Sequence, residues 1–204
     1  MLYPLFEDLT DYMTEEAFLQ KVSGKYHYSE SQLPMLAAVA ASMQKQMLRD
    51  VAQERAGWNW GGLSEMTPVC ITLGSGIDSL QEVYLEQGLL SEAYMVELIA
   101  AELLQQAYPL WNDWLAAQSD MRVRRYYFPG SDDCCALERL PELLRGLDVP
   151  VTCTEGYCML PRKSVVFYAE LTTEPGAVCQ GICAGCGSPD CPNRVEQSSR
   201  EESA

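Results

Sequence analysis

Four cysteines near the end of the chain, Cys179-x₃-Cys183-x₂-Cys186-x₄-Cys191, have the type and spacing to hold a metal. Gly181, Gly185 and Gly187 between them permit tight turns, so four thiolates can converge on one centre. Four sulfurs suit tetrahedral zinc and an iron–sulfur cluster equally well. The plain alternative is a tail whose cysteines are close in sequence and nothing more. The chain carries nine cysteines, an odd count that argues against a fully paired disulfide framework. In a reducing compartment, clustered thiols point first to metal or redox chemistry.

Other groups carry weaker signals. In a strictly alternating strand Arg122 and Arg124 share one face and Arg125 takes the other. Such a knot of arginines is either a solvated strand edge or a fork for a carboxylate. Gly74-Ser75-Gly76-Ile77-Asp78-Ser79 stands between an expected strand and an expected helix, the setting of a dinucleotide fingerprint. Ser79 occupies the place of the third glycine, and a tight turn into a helix explains the run equally. The adjacent thiols Cys134 and Cys135 read as residues packed at a helix start or as a redox pair, with no basic neighbour to lower their pKa. His27 is the single histidine, and no G-x-S-x-G or H-E-x-x-H accompanies it, so it reads as an ordinary histidine.

The chain as a whole has 204 residues, with 29 Asp and Glu against 14 Lys and Arg, a formal charge of −15. That balance repels phosphate backbones and anionic lipid, so neither nucleic acid nor a membrane surface is expected as partner. A hydrophobic content of 48% is that of a folded domain. A chain of this size buries about 70% of its unfolded surface without needing disulfide staples. Residues 1–13 carry Glu7, Asp8 and Asp11 and no Lys or Arg, so neither a signal peptide nor an apolar span is expected, and the location expected is cytoplasmic.

The elements that must position these groups follow from periodicity. One short helix is expected within residues 1–28. Ser29-Glu30-Ser31-Gln32 has the form of a capping box, and Leu36, Val39, Ala40, Met43 and Met47 then recur at helical spacing to about Ala56. Gly57-Trp58-Asn59-Trp60-Gly61-Gly62 is expected to break the helix. Val69–Leu73 reads as a strand, and a long helix with Met95, Ile99, Leu103 and Ala107 on one stripe follows from Ser91. Pro109 is expected to end or kink that helix. Val123–Phe128 reads as a strand, Leu137–Leu147 as a helix and Lys163–Leu171 as a strand. The expected class is mixed α/β, with a domain over 1–175, a Cys-rich segment over 176–194 and a polar tail over 195–204.

Three segments together give a resemblance. The first is the helix from Ser29 with the strand and turn Cys70-Ile71-Thr72-Leu73-Gly74 and the long helix after Ser91. The second is Arg125–Gly130, which looks like an R-x-[S/A]-P-G-Y loop. The third is Val151-Thr152-Cys153-Thr154 leading into Met159-Leu160-Pro161-Arg162-Lys163-Ser164-Val165, similar to M-x-P-x-x-S-V. From Tyr28 to Leu171 the chain resembles the activation domain of vitamin B12-dependent methionine synthase, most of all its stand-alone bacterial versions. Tyr126, Phe128 and Ser131 stand where that family carries Arg, a small residue and Tyr.

The resemblance implies a curved central sheet with flanking helices, here with a small Cys-rich C-terminal appendix. It also implies a domain that binds S-adenosylmethionine and assists reductive reactivation of a cobalamin protein. On that reading Arg125 holds the donor's carboxylate, the backbone of Pro129 and Gly130 lies along the ligand, and Met159, Pro161 and Ser164 belong to the opposite wall. No D-x-H-x-x-G motif for cobalamin is present, so the corrinoid comes through a partner, a corrinoid protein or corrinoid-dependent methyltransferase. The alternative is a non-enzymatic binding or scaffold module of the same fold without the S-adenosylmethionine site, with a structural metal on Cys179, Cys183, Cys186 and Cys191.

Overall fold

The computed structural model describes residues 5–131 and 135–183. Two helices, α1 (Leu5–Tyr12) and α2 (Glu16–Lys25), occupy the entry segment where the pattern suggested one. The capping box forms: Ser29 N–H donates to Gln32 Oε1 at 3.0 Å, and a 3₁₀ turn over Glu30–Gln32 opens α3 (Leu33–Ala52). Strands β1 (Gly57–Trp60) and β2 (Met66–Thr72) follow, then α4 (Ser75–Glu86), α5 (Leu90–Gln118) and β3 (Arg122–Tyr127). A second 3₁₀ turn, Leu137–Arg139, leads into α6 (Leu140–Leu147). The hairpin β4 (Thr152–Cys153) and β5 (Met159–Leu160) precedes β6 (Ser164–Thr172).

The main sheet is antiparallel in the order β1-β2-β6-β3, giving a mixed α+β fold with a central sheet and flanking helices. Because side chains alternate along a strand, the sheet has two differently covered faces. Ile71, Phe167, Ala169 and Leu171 turn to one face and meet Met43, Met47, Ile99, Leu103 and Trp111 of the helices. Cys70 and Val166 turn to the other, where Leu140, Leu144 and Leu147 of α6 cover them. Asn59 ties the two sides of that second layer together, its Nδ2 donating to Leu147 O at 2.6 Å.

Two expectations change here. The Gly57–Gly62 run does not merely break a helix, because its first four residues form β1. Trp58 and Trp60 sit two apart and so face the same way, and both pack against Trp114, at 6.3 and 4.7 Å between ring centroids. Pro109 does not end the long helix: α5 runs through it for 29 residues. An internal proline costs about 3 kcal/mol, but Tyr108, Trp111 and Leu115 around it are all buried, and that burial outweighs the loss.

Candidate functional site on the open sheet face

The part of the second face that α6 leaves uncovered lies along β3 and the C-terminal half of β6. Its shape depends on a bulge. Val123 pairs with Leu171 and Arg125 with Glu170, so the register shifts by one residue at Arg124. Val123 and Tyr126 are both buried against the helices, yet three positions apart a regular strand would turn them to opposite faces. The extra residue at Arg124 reconciles them. Strict alternation is thereby corrected: Arg125 pairs with Glu170 and joins Arg122 on the open face, while Arg124 stands out at the bulge. The backbone of the bulge is satisfied, because Gln180 N–H donates to Arg124 O at 2.9 Å.

Glu170 is the centre of the site. Tyr127 Oη donates to its Oε2 at 2.8 Å, and Arg124 Nη1 lies 3.8 Å from its Oε1. The Arg125 guanidinium stacks on the Tyr127 ring at 4.6 Å. Leu171 N–H donates to Glu65 O at 2.8 Å, which holds the loop after β1 beside this edge. The result is a groove of about 710 Å³ whose wall includes Glu65, Met66, Arg124, Tyr127, Glu170 and Thr172. It offers a guanidinium, two carboxylates, a phenol and the thioethers of Met66 and Met121 within one small concavity. That set can hold a small molecule carrying both signs of charge.

The other residues expected at a ligand are placed elsewhere. Ser164 stands six positions before Glu170 along β6, about 20 Å away. The face between them is filled by Val166 under α6. The Ser164 hydroxyl lies 2.8 Å from Thr72 Oγ1 and 2.7 Å from Pro161 O, so it pins the start of the strand. Met159 packs against the second core. Pro161, after a cis Leu160–Pro161 bond, borders a separate hollow of about 270 Å³ with Arg55 and Asp78. Arg162 and Lys163 are clamped to the helices: Asp78 accepts from Arg162 N–H at 2.7 Å, and Lys163 pairs with Glu97. Burial works to raise the Glu97 pKa, but Lys163, Gln81 and Arg162 hold it below the usual range. Pro129 and Gly130 leave β3 in a turn in which Gly130 N–H donates to Cys135 O at 2.8 Å. Phe128 packs on Tyr108 and Phe167 in the helical core, not on the face that carries Arg125 and Glu170.

The Gly74-Ser75-Gly76 turn proves to hold an anion of the protein's own. Buried Asp50 accepts from Gly76 N–H at 2.6 Å and pairs with Arg55 at 2.9 Å. Gly74 has φ +86°, and a Cβ there would stand 2.3 Å from Asp50 Oδ2. The start of α4 is therefore filled by a carboxylate, and the tight-turn reading replaces the dinucleotide one. His27 is exposed, at φ 58° after α2.

The metal expectation is overturned. Among the described residues no group of three or more His, Cys, Asp or Glu side chains converges to hold zinc or an iron–sulfur cluster. Cys179 is instead packed against the main core, beside Tyr126 in the wall of a hollow on the helical side. Cys183 lies in the same segment, while Cys186, Cys191, Cys134 and the 195–204 tail lie outside the described residues. Cys70, under α6, is inert, since burial pushes its thiol up to about 12. Among the described residues no helix is long and apolar enough to cross a membrane. Arg124, Tyr127 and Glu170 were not singled out as one site from sequence. The available signals were the three-residue spacing of Val123 and Tyr126 and a glutamate inside an otherwise apolar strand. Compared with known proteins, the chain matches no family model and no curated protein.

Proposed function

We propose that the protein binds S-adenosylmethionine on the open sheet face and serves as an accessory to a corrinoid-dependent methyltransferase, assisting reductive reactivation of its corrinoid. The observation that carries this reading is the bulge at Arg124, which brings Arg124, Arg125 and Glu170 to one place. The amino-acid end of the ligand needs a guanidinium for its carboxylate and a carboxylate for its ammonium, and the residues of the groove fit both. Tyr127 and Met66 supply flat and apolar wall for the rest of the ligand. S-adenosylmethionine would supply the methyl group. The chain's own part is to bind and orient it, with the corrinoid and the reductant brought by partners. The motif resemblance over Arg125–Gly130 and Met159–Val165 supports S-adenosylmethionine as the ligand and the methionine synthase activation-domain type of fold, while the groove itself is built without Met159, Pro161 and Ser164.

The test is calorimetric titration with S-adenosylmethionine of the wild type and of Arg124→Ala and Glu170→Gln. Each substitution is expected to cost about 1.5–3 kcal/mol of binding, the worth of a charge-assisted hydrogen bond. Unchanged affinity in both would remove the groove as the site. The scaffold reading is favoured by Ser164 and Met159, which are engaged in holding the fold together. It predicts no S-adenosylmethionine binding by the wild type.

A further inference from the structure

Side chains on the second face of the sheet fall into rows that cross the strands. Cys70 and Val166 form the row beneath α6. Pro68, Tyr168 and Tyr127 form the next row, and Met66, Glu170 and Arg125 form the row of the groove. Successive rows lie two residues apart along β6, about 7 Å. Between the middle row and α6 lies a separate hollow of about 320 Å³, at the lower end of small-molecule sites, ~300–1,000 Å³. Pro68 and Tyr168 line it from the sheet, and Leu143 and Leu147 from α6. Arg139 and Glu142 line it as well, with Arg139 Nε 3.9 Å from Glu142 Oε2. Both are well exposed, so their pairing contributes little to the fold. Burial raises the Tyr168 pKa, Cys135 adds to it, Arg139 opposes it and Glu142 adds again, which places these groups around its hydroxyl. One aromatic ring thus has a guanidinium donor and a carboxylate acceptor beside it, and the two charges balance.

We infer that this hollow binds a neutral planar heterocycle with an amino group beside a ring nitrogen, a base of the adenine kind. The ring stacks on Tyr168, with Leu143 and Leu147 as its aliphatic wall. The amino group donates to the Glu142 carboxylate, and the Arg139 guanidinium donates to the ring nitrogen. A neutral base suits a balanced pair, whereas a charged ligand would leave one member of the pair unopposed. The inference deepens the reading of the adjoining groove and rests on it in one respect, the assignment of this base to the nucleoside end of S-adenosylmethionine. Tyr127, which belongs to the middle row and to the groove wall, joins the two sites.

The experiment is calorimetric titration of the full chain with adenosine and with purine riboside, which lacks only the amino group. Adenosine is expected to bind about tenfold tighter, the factor one hydrogen bond to a charged group gives. In Glu142→Leu, an exposed position, adenosine should fall to the level of purine riboside. Gly146 lines the hollow, and nothing lies within 4 Å of where its Cβ would stand. Gly146→Trp should therefore fill the hollow and lose both nucleosides while its melting temperature stays close to wild type. If that variant does not fold, Gly146→Leu serves as the filler. No binding of adenosine at millimolar concentration, equal binding of the two nucleosides, or a preference that survives Glu142→Leu would overturn the site. S-adenosylmethionine binding that Arg124→Ala weakens and the filled hollow does not would also overturn it, and would leave the groove standing. Adenosine binding without S-adenosylmethionine binding would support the base site and remove the groove reading alone.

Discussion

Glu102 shows how one residue can decide the stability of an element far from it in sequence. It is fully buried in α5 yet reaches Lys25, Lys21 and Tyr26, which fastens α2 to the long helix. Burial works to raise its pKa, but the hydrogen bonds from Lys25 and Tyr26 and the charges of both lysines hold it below the usual range. A depressed carboxylate pKa contributes stability that is present above the unfolded value, about 4.3, and is lost as pH falls through the folded value. Glu102→Gln should therefore cost about 3 kcal/mol at neutral pH, the scale of a broken buried pair. The difference in melting temperature between variant and wild type should shrink below about pH 4.3. A difference that stays constant down to acid pH would show that Glu102 acts through packing and not through charge. Asp50 is the companion case, a buried carboxylate satisfied by Gly76 N–H and Arg55, and it explains both glycines of the α4 turn without any ligand.

At the scale of elements, β3 carries the site because two buried residues three positions apart force a bulge between them. Deleting Arg124 leaves Val123, Arg125 and Tyr126 in regular alternation with Leu171, Glu170 and Ala169. That variant should fold and lose only about 1 kcal/mol, for the Gln180 bond and the exposed Glu170 pair. Deleting Arg124 and Arg125 together turns Tyr126 out of the core and should cost about 3–5 kcal/mol, as loss of a large core side chain does. Chemical denaturation of both variants checks this, and equal losses would refute the bulge as the cause of the register. Periodicity made much of this fold legible: the capping box at Ser29 and Gln32, the stripe of α3, and the strands at Val69, Val123 and Lys163 all lie where their residues place them. What stayed hidden depends on partners distant in the chain. Gly57–Trp60 is a strand because β2 pairs with it, and Asp50 meets Gly76 across 26 residues. The face of Arg125 depends on where Val123 and Tyr126 are buried, which alternation alone does not reveal. The cysteine spacing misled because Cys179 is used in core packing beside Tyr126.

For the molecule as a whole, the sheet separates two kinds of surface. Its helical side holds the main core, and its other side is half covered by α6 and half open around Glu170. An acidic chain with a mixed-charge groove is suited to a zwitterionic or cationic small molecule and unsuited to polyanions. The proposed role of the groove is to recognise the amino-acid end of S-adenosylmethionine through Arg124 and Glu170, beside the Arg125–Tyr127 stack. The most direct measurement is a pair of calorimetric titrations of the wild-type chain, with S-adenosylmethionine and with 5′-methylthioadenosine, which lacks that end. S-adenosylmethionine is expected to bind, and 5′-methylthioadenosine to bind about a hundredfold or more weaker, the loss of two charge-assisted contacts. Equal affinities, or no binding of S-adenosylmethionine, would contradict it.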